Sequence, residues 1–219
     1  AHGVESLENV VMSITTQAMA LDALRERLAP CLSETPINLD SCGRETFSSF
    51  GRRAWRRPLS EVELNALLEI MNRTYEVLDD HQSAIKYGLS AILQSPNFVF
   101  RSELGLSVDG EPSSTSPRPL NPWELATRLS YFLWNTTPDD ALLDAAERGD
   151  LATFEGLKAQ ANRLLASDRS REAVRTYFEE HLHLYALKRL RKDPTLFEHY
   201  YNELGLDARD ETLKLIEHI

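Results

Sequence analysis

Apolar residues recur at spacings of three and four in one segment after another, and most of these runs open on a side-chain cap or close at proline. That pattern is the signature of amphipathic helices, whose apolar stripes need partners to leave water. From Ser6 to Leu28 the apolar positions are Leu7, Val10, Val11, Ile14, Ala18, Leu21 and Leu24, with Pro30 as the stop. A second helix is expected from about Arg44 to Arg57, ending at Pro58. Ser60 then caps a third, with Glu63 at the reciprocal position of a capping box. Leu64, Leu67, Leu68 and Met71 form its inner face, which continues to Tyr75 and Leu78. A fourth starts near Gln82, buries Ile85, Leu89, Ile92 and Leu93, and ends before Pro96, since the residue ahead of a proline disfavours helix. Phe98 and Phe100 are then expected to re-enter the core in extended geometry.

Residues 105–120, GLSVDGEPSSTSPRPL, lose the period and read as a linker. The chain thus divides into a helical subdomain over 1–104, the linker over 105–120, and a second helical subdomain over 121–219. The second opens with Asn121 as cap, Pro122 in the first helical position and Glu124 closing a capping box. Trp123, Leu125, Leu129, Phe132 and Leu133 follow, and the aromatic group Tyr131, Phe132 and Trp134 reads as packing surface. Thr137 and Pro138 repeat the start signal, with Asp140 in third place. Further helices are expected over Leu151 to Leu165, from Asp168 with Ala173, Val174, Tyr177, Phe178 and Leu182, and from about Ala208 to the end. No alternating segment reads as a strand. The expected fold class is all-α, with two packed helical subdomains.

Charge removes some functions. With 34 acids against 24 Lys and Arg the net charge is −10, which disfavours binding to nucleic-acid phosphates and to anionic membrane surfaces. No apolar run is long enough to span a bilayer.

Two cysteines, Cys31 and Cys42, flank a stretch of turn formers. Two thiols without a nearby histidine make a poor zinc shell. Free thiols in a reducing compartment and a disulfide in an oxidising one both remain open, with the loop spacing in favour of the bond. Arg52, Arg53, Arg56 and Arg57 would form one cationic stripe at a helix C-terminus, suited to an anion or an interface. The competing reading is ion pairing to the chain's own acids. Glu180 and His183 have the Glu-x-x-His spacing of di-iron bundles, and His199 could approach round a turn. A di-iron site needs two such motifs and the chain offers one, so the ligand count argues against a metal.

Four stretches, taken together and in order, resemble a known group of proteins: RRAWRRPLSEVEL at 52–64, AILQSPNFVFRSE at 91–103, LSYFLWNTTPDDALLDAA at 129–146 and LKRLRKDPTLF at 187–197. The group is that of large secreted proteins of planctomycetes and myxobacteria, of unknown function, which often carry a c-type cytochrome module. The resemblance implies a periplasmic or extracellular protein, which supports a Cys31–Cys42 disulfide, and two adjoining helical domains. It implies no defined activity. The chain has no Cys-x-x-Cys-His, so haem would come only from a partner or another domain. It stops at Ile219 in mid-helix, so the last helix, with Leu213 and Ile216 on one face, is expected to lack part of its packing. The expected function is a binding or scaffolding module of a secreted, redox-associated protein. Its partner would be the remaining C-terminal portion or another chain such as a c-type cytochrome. The alternative is part of an exported enzyme acting on an extracellular polymer or glycan, with its site completed by another segment.

Overall fold

A computed structural model describes residues 2–105, 118–193 and 195–218. Among these residues every regular element is helical. The helices are α1 (His2–Ala20), α2 (Asp22–Leu28), α3 (Leu39–Ala54), α4 (Glu61–Leu78), α5 (His81–Gln94) and α6 (Pro96–Val99), then α7 (Pro122–Trp134), α8 (Asp140–Glu147), α9 (Phe154–Leu165), α10 (Asp168–His181) and α11 (Leu204–His218). Short 3₁₀ turns occupy Pro30–Ser33, Asp150–Ala152 and Leu184–Arg189. None of these helices is long and apolar enough to cross a membrane. The chain forms two compact units, the first of residues 1–127 and 137–149 and the second of 128–136 and 150–219. Most of the expected linker at 105–120 lies outside the described residues.

The first unit is built round an α4–α5 hairpin whose connection is only Asp79 and Asp80. Asp79 ends α4 in the left-handed conformation, φ 48°, which Asp tolerates better than most residues. Asp80 restarts the chain, its carboxylate accepting from Ser83 N at 2.8 Å. The Ser60–Glu63 capping box opens α4 as the sequence predicts. Phe47, Met71, Ile85 and Ile92 are fully buried where α3, α4 and α5 meet. Gly43 and Gly88 permit that approach, since a Cβ on either would collide with Met71 or with the Phe47 ring.

Helix α1 joins this core through Val11, Thr15 and Met19, with the Thr15 and Ser90 hydroxyls 2.9 Å apart. This corrects the expected face: Val10, Ile14, Leu21 and Leu24 are exposed, and the expected single helix breaks at Leu21. The two cysteines form the disulfide, with Cα atoms 5.4 Å apart and both residues buried. It ties the 3₁₀ turn at Pro30–Ser33 to the first turn of α3.

Two further expectations fail locally. Ser95 and Pro96 start the one-turn helix α6 instead of an extended segment, Ser95 Oγ accepting from Asn97 N at 3.2 Å. Phe98 is partly buried against the core, but Phe100 is 62% exposed. The cap of α8 is Asp139, not Thr137, and its carboxylate accepts from Leu142 N at 2.9 Å.

In the second unit Trp134 is buried and its indole N–H donates to Leu164 O at 2.8 Å. The Arg163 and Arg169 guanidiniums lie 5.7 and 4.9 Å from the Trp134 ring centre, within cation–π range. Arg209 holds α11 to α10 by a two-point pairing with Glu179, at 2.7 and 2.8 Å. That pairing lowers the Glu179 pKa against the opposing cost of desolvation. On α11 Leu213 is fully buried and Ile216 half-buried, while Leu206 and Leu215 are exposed.

Candidate functional site

The arginine cluster does not form a stripe on one helix, because α3 ends at Ala54. Trp55 is the last residue near helical geometry, and Arg56 takes φ 61°, the left-handed region that a non-glycine residue enters at a cost. The turn sends the four side chains to different partners.

Arg52 donates to Asp144 at 2.7 Å and to Glu147 at 3.0 Å, while Arg53 grips both oxygens of Asp140 at 2.9 and 2.5 Å. The Asp140 hydrogen bond raises the Arg53 pKa, against the opposing effect of burial. Asp140, Asp144 and Glu147 share one face of α8 at a spacing of four and three. This is the ion pairing to the chain's own acids that competed with the anion reading, and the partners themselves were not singled out from the sequence.

Arg56 is only 5% exposed. Its guanidinium donates to the carbonyls of Asn97 at 2.6 Å, Phe100 at 2.8 Å, Ala54 at 3.1 Å and Phe98 at 3.4 Å. A buried cation is thus satisfied by carbonyl dipoles, three of them from α6 and its exit. Arg57 turns back to Glu63 and makes a two-point pair at 3.0 and 2.7 Å. The Arg57 hydrogen bonds are the main reason the Glu63 pKa falls to about 2. Burial opposes them, and the Ser60 N–H and hydroxyl add smaller pulls. The capping box of α4 is therefore also an ion pair, a link not visible from the box alone.

These arginines border a cleft of about 270 Å³ within the first unit. Trp55 and Trp123, Asn97, Ser102 and Asn121 line it. At its edge Glu124 accepts from Asn121 N at 2.8 Å, Leu104 N at 2.7 Å and Gly105 N at 3.1 Å. Asn121 Oδ1 in turn accepts from Glu124 N at 2.9 Å, completing the capping box expected for α7. Sequence reasoning missed Asn97, Ser102 and Trp123 as cleft residues, because they come from α6, its exit and the start of α7, which meet only in the fold.

The proposed metal residues fall differently. Glu180 lies in the last turn of α10 and His183 beyond its end, in the left-handed conformation at φ 52°. His183 Nδ1 is 3.0 Å from the Tyr185 hydroxyl. His199 lines a separate cleft with Leu190, Lys192 and Phe197. Among the described residues no three His, Cys, Asp or Glu gather closely enough to hold a metal ion.

No curated protein and no solved structure matches the chain. Two family models do. Residues 42–103 match PSD5, described as a protein of unknown function (DUF1595), and residues 120–219 match PSD4, described as a protein of unknown function (DUF1592). The first covers α3 from Cys42 onward through α6 with the arginine turn, and the second α7 to α11. The chain therefore carries, in order, a segment similar to PSD5 and a segment similar to PSD4, two families whose function is unknown.

Proposed function

We propose that the chain is a binding module of an exported, redox-associated protein, and that its second unit docks a protein partner. One observation carries this reading. Among the described residues of the second unit the large apolar side chains left exposed outnumber the buried apolar residues, which are Trp134, Leu151, Leu164, Leu184 and Leu213. Phe132, Leu196 and Phe154 are 81, 77 and 73% exposed, and Val174, Tyr177 and Leu182, apolar positions expected on the helix from Asp168, are exposed as well. The first unit has the opposite balance. Single exposed apolar residues are ordinary, but a unit in which the exposed large apolar side chains outnumber the buried ones favours association.

Acids and bases nearly balance in the second unit, so no strong like-charge field opposes a partner there. The buried disulfide supports residence in an oxidising compartment, periplasmic or extracellular. The group that the sequence resembles makes a c-type cytochrome the partner to test first.

Site-specific photo-crosslinking in the native host tests the proposal. A photoreactive phenylalanine at Tyr177 or Leu196 should yield an adduct with one protein that carries covalent haem. The same residue at Val62, 81% exposed in the first unit, should not. Equal crosslinking at all three positions, or none at any, rejects the second unit as the docking surface.

A further inference from the structure

We propose that the cleft of the first unit binds one ring of a neutral saccharide. The inference concerns different residues from the docking surface and stands or falls apart from it. The cleft's charged groups are already engaged. Arg56 gives its donors to backbone carbonyls, Arg57 is held by Glu63, and Glu124 is held by backbone N–H groups. Arg101 and Glu103, which also line the cleft, each hold interactions of their own.

What remains unspent is neutral. The Trp123 indole N–H, the Asn97 carboxamide, the Ser102 hydroxyl and the Asn121 amide N–H₂ have no hydrogen-bond partner among the described residues, and all four residues line the same cleft. Trp123 is half-buried, so its ring offers a fixed apolar wall, whereas Trp55 is nearly buried and already lies beneath Arg57.

A half-buried indole beside amides and a hydroxyl suits a sugar ring. The ring's C–H face packs on the indole, and its hydroxyls, each both donor and acceptor, satisfy the amides. An anionic ligand would need a free cation in the cleft, and the guanidiniums of Arg56 and Arg57 are engaged. The volume of about 270 Å³ is just below the range of roughly 300 Å³ upward seen for drug-sized ligands, which fits a single ring.

The test is saturation-transfer NMR on the full oxidised chain. The probes are the methyl glycosides of glucose, galactose and N-acetylglucosamine, with methyl glucuronide as the anionic arm. Each is offered at about 10 mM, which detects sites with dissociation constants near ~1 mM. At least one neutral glycoside should bind, and Asn97→Ala and Trp123→Leu should each weaken it at least about tenfold, a loss on the scale of one buried polar contact or one stacking wall. Asn97 is exposed with its carboxamide unpartnered, so N97A keeps the test sound even if W123L fails to fold. Three results overturn the proposal: no neutral glycoside binds, binding is unchanged in N97A, or the glucuronide binds as tightly as the neutral sugars.

Discussion

Replacing Arg56 separates the two things this residue does, one favourable and one costly. Its guanidinium makes two short bonds, to Asn97 O at 2.6 Å and Phe100 O at 2.8 Å, from a site only 5% exposed. Hydrogen bonds to a charged group contribute about 1.5–3 kcal/mol each, and their loss leaves carbonyls without a donor. Arg56→Ala should therefore destabilise the first unit by about 3–5 kcal/mol. Against this, a non-glycine residue at φ 61° carries about 1 kcal/mol of strain, which Ala retains and Gly removes. Arg56→Gly should then be about 1 kcal/mol more stable than Arg56→Ala, although Gly is the more flexible residue when unfolded. Arg56→Lys keeps the charge but not the fork, and should fall between the wild type and Arg56→Ala. Urea titration read by hydrogen exchange of the α5 amides reports the first unit alone. A loss under about 1 kcal/mol in Arg56→Ala, or an Ala variant more stable than the Gly variant, refutes the account of this turn.

The Cys31–Cys42 bond closes a loop with a sequence separation of 11, so the Cys31→Ser/Cys42→Ser protein should lose about 3 kcal/mol in urea melts of the first unit; an unchanged midpoint would contradict this. Glu63 gives a pH signature. Its pKa is lowered in the folded state, so its contribution is fully present above about pH 4.5 and is lost as pH falls toward 2. The side chains of Arg57 and Glu63 are 34 and 27% exposed, and solvent screening reduces the contribution to about 1–2 kcal/mol. Glu63→Gln should flatten the stability profile between pH 2 and 4.5, measured by chemical melts across that window, and an identical slope in the variant would assign the acid sensitivity elsewhere.

Local rules were legible where the chain obeys them without outside help. The capping boxes at Ser60–Glu63 and Asn121–Glu124 form as their residue types require, and the α4 stripe Leu64, Leu67, Leu68 and Met71 is buried. Competing local signals were harder to rank. At 137–140 the carboxylate of Asp139 outcompetes Thr137 for the cap, and at 95–96 the Ser-Pro pair restarts a helical turn, a signal that N-cap and first-position preferences do carry. The face of α1 went wrong because Val10, Val11 and Ile14 allow two adjacent stripes, and the buried Thr15–Ser90 pairing that selects one of them is long-range. The cleft was hidden for a related reason. It depends on Arg56 entering left-handed geometry, and no pattern of side chains announces that turn.

The docking role of the second unit is tested most directly by native mass spectrometry of the protein purified from its own host, with the exposed apolar residues altered. The wild type and a Val62→Glu control should each carry one stoichiometric partner with covalent haem. Tyr177→Glu/Leu196→Glu should fly as the bare chain, with its helical circular dichroism unchanged. Retention of the partner by the double variant, or a bare chain in all three, would contradict the account.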